Sequence, residues 1–181
     1  VDYLKNQGLF EDTIIVFYSD HGSQWTIMDR TPLMIRFPRG AFAGEVTQST
    51  QNMDIAPTLL DYMGVEKPSW MRGDSLLKEL DPTRLIYAAE IKFEFFHRGR
   101  IQQDSIQPPF YQFGMLDIVN CQRFYQIDLQ SLNMTVEEIE HYHNPCPVES
   151  LASEDVIWAR TGDMLLEFGF DVPDTWRDER R

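Results

Sequence analysis

An aspartate and a histidine stand next to each other where an apolar run ends. Residues 14–18 read I-I-V-F-Y, and Ser19, Asp20, His21 and Gly22 follow directly. An apolar run of this length, bounded by turn residues, predicts a strand that is buried on both faces. In open α/β sheets, ligands bind at the carboxyl ends of such strands. A carboxylate and an imidazole together suit a divalent metal ion, so the sequence predicts Asp20 and His21 as metal ligands.

The geometry of this pair depends on where the strand stops. Neighbouring residues on a regular strand point to opposite faces. Asp20 and His21 can therefore reach one ion only if the strand has ended and the backbone turns, and Gly22 permits such a turn. In the alternative interpretation, Asp20 caps the next element and His21 merely follows it. The residues alone leave both interpretations open.

Two helices and a second strand are predicted around this turn. The chain begins within a helix that ends at Gly8. Residues 33–37 read L-M-I-R-F and predict a strand. Residues 54–63 predict a helix with Asp54 as its N-cap, and Gly64 follows its end. Because a helix followed by a buried strand is half of a β-α-β unit, we expect this chain to be a piece of a larger protein.

The second half of the chain has a different pattern. Three strands are predicted at residues 85–96, 114–119 and 122–129. Two helices are predicted after them, at residues 136–142 and 154–168, with Ser153 as the N-cap of the second. The composition shifts near Asp81-Pro82, where we place the boundary between a first part, residues 1–80, and a second part, residues 81–181.

Charge and cysteine content limit the possible partners. The net charge is −13, from 29 acidic and 16 basic residues, which argues against a nucleic-acid partner because such proteins need a basic face. The sequence has no run of about 18 apolar residues, which is the length that a membrane-spanning helix needs. Cys121 and Cys146 fit no short metal-ligand spacing, and the sequence leaves a disulfide between them open. His141 and His143 could join Cys146 at a metal, but we favour a helix end there.

Four blocks of the sequence together resemble the sulfatases of the alkaline phosphatase superfamily. They read G-L-F-E-D-T-I-I-V-F-Y-S-D-H-G, R-T-P-L-M-I-R-F-P, N-M-D-I-A-P-T-L-L-D-Y-M-G-V and R-G-D-S-L. Their order and rough spacing are those of the family's C-terminal half, and they lie between Val1 and about Leu77. The resemblance implies an α/β fold, with a partial mixed or parallel sheet flanked by helices in residues 1–80. It also implies a small antiparallel α+β subdomain in residues 81–181.

The resemblance implies the C-terminal portion of a metal-dependent sulfuric ester hydrolase. Asp20 would be a metal ligand, and His21 beside it favours a transition metal such as Mn²⁺ or Zn²⁺ over Ca²⁺, which prefers oxygen ligands. The substrate would be a small anionic ester, a sulfate or a phosphate. Arg30, Trp70 and Arg72 are the candidates to bind it, although the last two could equally be a packed aromatic and a solvated charge. Family habit implies a secreted, periplasmic or lysosomal setting.

Three departures from the family pattern bear on activity. The nucleophile motif C/S-x-P-x-R is absent from this chain, and so are the paired acidic ligands of the family's first strand. Residues 23–31 contain neither the Lys nor the His that usually contact the substrate. We therefore expect that this chain alone is not catalytically complete. The alternatives are a phosphodiesterase or phosphotransferase of the same superfamily, and a non-catalytic sulfatase-like scaffold that binds a partner.

Overall fold

The computed structural model describes most of the chain. The described residues are 1–22, 30–91, 96–97, 100–101, 113–129, 131–140, 142, 145–170 and 172. Two compact units divide the chain, Val1–Asp81 and Pro82–Arg181, and each is taken by itself below. The predictions for His141, His143 and most of the 23–31 connection lie outside the described residues.

Among its described residues, the first unit contains two α-helices and two strands. Their bounds are α1 (Asp2–Asn6), β1 (Ile15–Tyr18), β2 (Leu33–Arg36) and α2 (Ile55–Tyr62). Gly8 has φ +68°, and the Leu9 N–H donates to the Leu4 carbonyl at 2.9 Å. A left-handed glycine with this hydrogen bond is a standard helix ending, so the predicted end of the first helix is confirmed. Gly64 ends α2 in the same way, with φ +68°.

The sheet of the first unit corrects a prediction. β1 and β2 pair antiparallel, with Phe17 opposite Met34, and every strand pair among the described residues is antiparallel. The predicted mixed or parallel sheet is therefore not found in the described part of the chain. The ladder pairs Ile15 with Arg36 and Tyr18 with Leu33, so the two strands run in opposite directions. Phe17 and Tyr18 are 57% and 52% exposed, so the prediction of a strand buried on both faces is wrong for this chain.

The second unit is built on an antiparallel sheet. Its elements are β3 (Leu85–Ile91), β4 (Phe96–His97), β5 (Arg100–Ile101), β6 (Phe113–Asn120), β7 (Arg123–Asp128), β8 (Asn133–Glu138) and α3 (Glu154–Glu167). Four strands lie in the order β3-β6-β7-β8, and β4 pairs with β5 in a separate hairpin. The predicted strands in the 85–96, 114–119 and 122–129 stretches are confirmed as β3, β6 and β7.

The predicted helix at residues 136–142 is wrong, because residues 133–138 form the edge strand β8. Met134 lies opposite Ile127 and Val136 lies opposite Tyr125 across the β7–β8 pair. Pairing with a buried neighbouring strand outweighs the weak local preference of a short acidic segment for helix.

One face of the four-stranded sheet packs against α3. Ile118, Tyr125 and Ile127 from the sheet are fully buried there, together with Ile157 and Leu165 of the helix. As predicted, Ser153 caps the helix, and its Oγ accepts a hydrogen bond from the Val156 N–H at 3.4 Å. Phe168 lies just past the end of α3 and is 53% exposed.

A disulfide between Cys121 and Cys146 settles the question that the sequence left open. Their Cα atoms are 5.8 Å apart, and the bond joins the β6–β7 turn to the segment after β8. The side chain of Gln122 strengthens the same junction, since it accepts from the Cys146 N–H at 3.0 Å and donates to the Cys146 carbonyl at 3.1 Å. Among the helices of the described residues, none has the length and apolar character that a membrane crossing requires.

Candidate functional site

Asp20 and His21 come together in a turn directly after β1. The strand ends at Tyr18, and the Ser19 hydroxyl donates to the His21 carbonyl at 2.7 Å across the turn. This places Nε2 of His21 3.6 Å from Oδ2 of Asp20. That distance is too long for a hydrogen bond. It is close to the ~3.0–3.4 Å that separates two donor atoms bound to one transition metal at about 2.1 Å each.

The hydrogen bond on the other ring nitrogen orients His21. Its Nδ1 lies 2.8 Å from the Gly22 carbonyl oxygen. A carbonyl oxygen can only accept, so Nδ1 carries the proton and Nε2 of the neutral ring presents its lone pair on the side of Asp20. A histidine that binds a metal through one nitrogen characteristically donates its other N–H to such an acceptor. The carboxylate is open to solvent, with 81% of the Asp20 side chain exposed.

These two residues fit a metal ion as part of a ligand set. The carboxylate oxygen and the imidazole nitrogen are on the same side of one turn and are donors that a divalent cation accepts. Within the described residues, no group of three or more His, Cys, Asp or Glu side chains could hold a metal. Asp20 and His21 thus offer two donors, which is fewer than a protein metal site requires.

Asn52 holds the turn from outside, and the sequence reasoning did not single it out. Its Nδ2 donates to the Ser19 carbonyl at 2.9 Å and lies 3.3 Å from the Asp20 carbonyl. Both carbonyls lie beyond Tyr18, the last paired residue of β1. One feature of the sequence could have pointed to Asn52: it is the first residue of the N-M-D-I-A-P block, which belongs to the family resemblance.

Asp54 has a different role from the predicted one. It occupies the N-cap position of α2, but its side chain makes no capping hydrogen bond to that helix. It is fully buried, and its two carboxylate oxygens accept from the backbone N–H groups of Gln51 and Asp74, each at 2.9 Å. Asp54 therefore joins the start of the helical region to the R-G-D-S-L segment.

The R-G-D-S-L segment packs tightly on the same region. Gly73 has φ +85°, and a Cβ at this position would lie 2.2 Å from the Met53 carbonyl oxygen. The Leu76 N–H donates to Oγ1 of Thr58 at 2.9 Å, and Thr58 donates to the Asp54 carbonyl at 2.6 Å. These contacts fix the segment against α2 and against the residues that precede it.

Further along α2, Asp61 receives two hydrogen bonds from the chain that follows. The Ser75 hydroxyl donates to Oδ2 of Asp61 at 2.6 Å, and Nζ of Lys78 lies 3.1 Å from Oδ1. The bond from Ser75, and then that from Lys78, hold the pKa of the Asp61 carboxyl below its usual value. A pocket of about 490 Å³ lies here, lined by these side chains, Lys67 and other residues within 57–81. Asp20 and His21 do not line this pocket.

The predicted substrate-binding residues are all at the surface. Arg30 is exposed just before β2, and Arg72 is exposed beside Gly73. Trp70 is 75% exposed in a turn that the Met71 N–H closes by donating to the Pro68 carbonyl at 3.0 Å. Their roles towards a substrate stay predictions.

The fold resembles that of part of a solved enzyme. The chain superposes on the phosphonate monoester hydrolase of Silicibacter pomeroyi with a TM-score of 0.58 and 22% sequence identity. The match covers 92% of this chain and 36% of that enzyme. The chain therefore has the fold of part of an alkaline phosphatase superfamily protein.

The sequence comparisons place the chain within that superfamily. Residues 18–108, half of the chain, match the family described as N-sulphoglucosamine sulphohydrolase, C-terminal. The chain is 34% identical over 110 residues to the N-acetylglucosamine-6-O-sulfatase of Bacteroides thetaiotaomicron, covering 54% of the chain and 20% of that protein. It is 33% identical over 114 residues to the choline-sulfatase of Rhizobium meliloti, covering 51% of the chain and 22% of that protein.

The chain belongs to the sulfatase family of the alkaline phosphatase superfamily, and the resemblance on which the sequence analysis rests is confirmed. Its alignments span only about a fifth of the length of these two relatives. Members of the superfamily generally use divalent metals.

Proposed function

We propose that this chain is the C-terminal portion of a metal-dependent sulfuric ester hydrolase, to which it contributes Asp20 and His21 as metal ligands. The observation that carries the proposal is the turn after β1, where Nε2 of His21 and Oδ2 of Asp20 approach to 3.6 Å in a chain of the sulfatase family.

The residues of the turn have separable tasks in this proposal. The cation, when bound, would polarise the ester oxygen and neutralise the charge that develops on it. Asp20 contributes the anionic ligand. Its side chain is exposed, so groups from outside the chain can reach the same metal ion. His21 contributes a neutral nitrogen whose direction is fixed by the hydrogen bond of Nδ1 to Gly22. That nitrogen favours a transition metal such as Mn²⁺ or Zn²⁺ over Ca²⁺.

Charge supports the need for a cation. A chain with net charge −13 repels a sulfate ester at long range. A bound divalent ion would be the largest local positive charge in the site and would reverse the repulsion there. Arg30 and Arg72, both exposed, are our candidates to add cationic contacts to the sulfate group.

The remaining ligands and the nucleophile are expected from outside these 181 residues. The packing of the first unit supports this part of the proposal. Phe37 and Leu80 are buried there, whereas Phe17 and Met34, which lie opposite each other on one face of the β1–β2 pair, are each more than half exposed. Large apolar side chains clustered on an exposed sheet mark a surface that packs against other protein.

The substrate proposed is a small anionic sulfate ester. One relative is named for N-acetylglucosamine 6-O-sulfate and another for choline sulfate, so the family likeness supports the ester and leaves the alcohol part open. A phosphate or phosphonate ester hydrolase is the second candidate, favoured by the fold likeness to a phosphonate monoester hydrolase and by His21. A non-catalytic scaffold is the third, favoured by the absence of a nucleophile motif from this sequence.

The test is made on protein expressed from its complete gene. We expect Asp20→Ala to lose bound metal and the hydrolysis of 4-nitrophenyl sulfate, while its circular dichroism and the melting temperature of the metal-free protein stay unchanged. Asp2→Ala, which removes an exposed carboxylate in α1, is the matched control and should keep both properties.

Each alternative has its own result in this test. Full metal content and activity in Asp20→Ala would show that the site assignment is wrong. Turnover of 4-nitrophenyl phosphate or a phosphonate ester in preference to the sulfate would favour the second candidate. Wild-type protein without stoichiometric metal would favour the scaffold.

A further inference from the structure

We propose that Asn52 is a positioning residue, which fixes the turn of Asp20 and His21 in the conformation that binds metal; this inference rests on the proposed function. Asn52 does not offer a metal ligand in this proposal. It acts through the backbone of the two residues that do.

The hydrogen bonds of Asn52 fall where the turn needs support. Asp20 and His21 converge only because the backbone leaves the extended conformation after Tyr18. The carbonyls of Ser19 and Asp20 lie at that change of direction, and one amide nitrogen of Asn52 reaches both, at 2.9 and 3.3 Å. An amide group carries two N–H donors on one nitrogen, so it can bridge two successive carbonyls. Fixing both peptide groups restricts the direction in which the Asp20 side chain leaves the backbone.

The backbone around Asn52 is itself held in place by hydrogen bonds. It is the first residue of the 3-10 turn Asn52–Asp54, which a reciprocal capping box between Gln51 and Asp54 closes. Asp54 is fully buried, and the neighbouring Met53 carbonyl lies under Gly73. The support therefore depends on buried groups, whereas the contact that Asn52 makes with the metal turn is at the exposed surface.

This difference in burial makes the proposal testable. Loss of an exposed hydrogen bond changes overall stability little, so a variant of Asn52 should fold normally. Residues that orient metal ligands typically affect metal affinity by about 10- to 100-fold. A selective loss of metal affinity in a normally folded protein is therefore the expected signature of a positioning residue.

The main variant is Asn52→Leu, which has a similar shape and no hydrogen-bond donor. Asn6→Leu, a change of the same kind at an exposed position in α1, is the matched control. Both are made in protein expressed from its complete gene. The dissociation constant for Mn²⁺ or Zn²⁺ is measured by competition with a chromophoric chelator. For Asn52→Leu we expect it to rise about 10- to 100-fold, while the melting temperature of the metal-free protein stays unchanged. Asn6→Leu should change neither value.

A second measurement needs no metal. In metal-free protein, chymotrypsin cleavage after Tyr18, which is 52% exposed, reports local opening of the turn. Cleavage after Trp70, 75% exposed, serves as the internal control. We expect Asn52→Leu to speed the first cleavage about 3- to 10-fold and to leave the second unchanged.

The outcomes separate this inference from the proposed function. If wild-type protein binds no metal, the proposed function fails, and the cleavage rate alone decides whether Asn52 holds the turn. If wild-type protein binds metal and Asn52→Leu binds it equally well, the inference is overturned while the proposed function stands. A fall in the melting temperature of the metal-free protein, together with faster cleavage after both Tyr18 and Trp70, would also overturn it, because Asn52 would then be a general stability residue.

Discussion

Substitution of Gly73 by alanine tests the contact that joins the R-G-D-S-L segment to the start of α2. Gly73 has φ +85°, and an added Cβ would lie 2.2 Å from the Met53 carbonyl oxygen and 2.6 Å from the Met53 carbonyl carbon. Real Cβ atoms do not approach backbone so closely, so the segment must move away from Met53. That movement pulls on the hydrogen bond from the Asp74 N–H to the buried carboxylate of Asp54, which is 2.9 Å long.

Two other glycines of the first unit serve as controls, because each shares only part of the stability loss expected for Gly73→Ala. Gly64 has φ +68° and nothing within 4 Å of an added Cβ, so Gly64→Ala carries only the conformational cost of about 1–2 kcal/mol. Gly44 lies outside the left-handed region and also has nothing within 4 Å, so Gly44→Ala should change stability by less than about 1 kcal/mol. Gly73→Ala carries the conformational cost and adds roughly 1–3 kcal/mol for the overlap. We expect its total to be about 2–5 kcal/mol.

The assay is urea unfolding of the three variants in protein expressed from its complete gene, followed by circular dichroism. Hydrogen exchange of peptides covering residues 51–77 locates the change. We expect Gly44→Ala to be the most stable of the three, Gly64→Ala intermediate and Gly73→Ala the least stable. If Gly73→Ala is as stable as Gly64→Ala, the close approach of Gly73 to Met53 does not exist in solution, and the coupling of the two blocks is refuted.

Two further predictions concern the disulfide and Asp61. Reduction of Cys121–Cys146, which are 25 residues apart, should lower the free energy of unfolding of the second unit by about 3.5 kcal/mol. Thermal unfolding with and without reductant checks this, and a Cys121→Ser, Cys146→Ser double variant should not respond to reductant. Ser75 and Lys78 lower the pKa of Asp61 in the folded state, so its contribution to stability is complete above the unfolded value of about 3.9 and is lost as the pH falls through the lower folded value. The stability deficit of Asp61→Asn should therefore shrink below about pH 4, and a deficit independent of pH would contradict the assignment.

Local signals predicted the ends of elements well. Gly8, Gly64 and Ser153 were identified from the helix-capping preferences of single residues, and the structure confirms all three. β6 and β7 were predicted as two short strands, residues 114–119 and 122–129, on either side of a turn near Asn120. These features depend on a few neighbouring residues, which is the information that a single sequence contains.

Predictions that depend on distant partners were weaker. Residues 136–142 look helical in isolation, and the pairing of β8 with β7, in which Val136 lies opposite Tyr125, makes residues 133–138 a strand. The direction of the β1–β2 pair could not be read from apolar runs, because such runs do not specify a partner. Asn52 was missed for the same reason, since its function in the fold appears only when the Ser19 and Asp20 carbonyls lie beside it.

The four blocks of the resemblance are connected to one another by direct contacts. Arg36 of the second block stacks on the Phe10 ring of the first at 3.7 Å and donates to the Phe10 carbonyl at 2.8 Å. Asn52 of the third block holds the end of the first, and Asp54 holds the fourth through Asp74. Substitutions of residues joined in this way are energetically coupled, because loss of one partner leaves the other without its contact.

The predicted substrate-binding residues lie outside this network of contacts between blocks that is described above, so the resemblance says less about the substrate than about the framework of the site. Arg30, Trp70 and Arg72 are exposed and lie at or just before the edges of the blocks, where their side chains are open to a substrate. We therefore expect substitutions at Arg72 or Trp70 to change the preference among esters while metal retention persists. Substitutions at Asn52 or Gly73 should act through the framework of the site for every substrate.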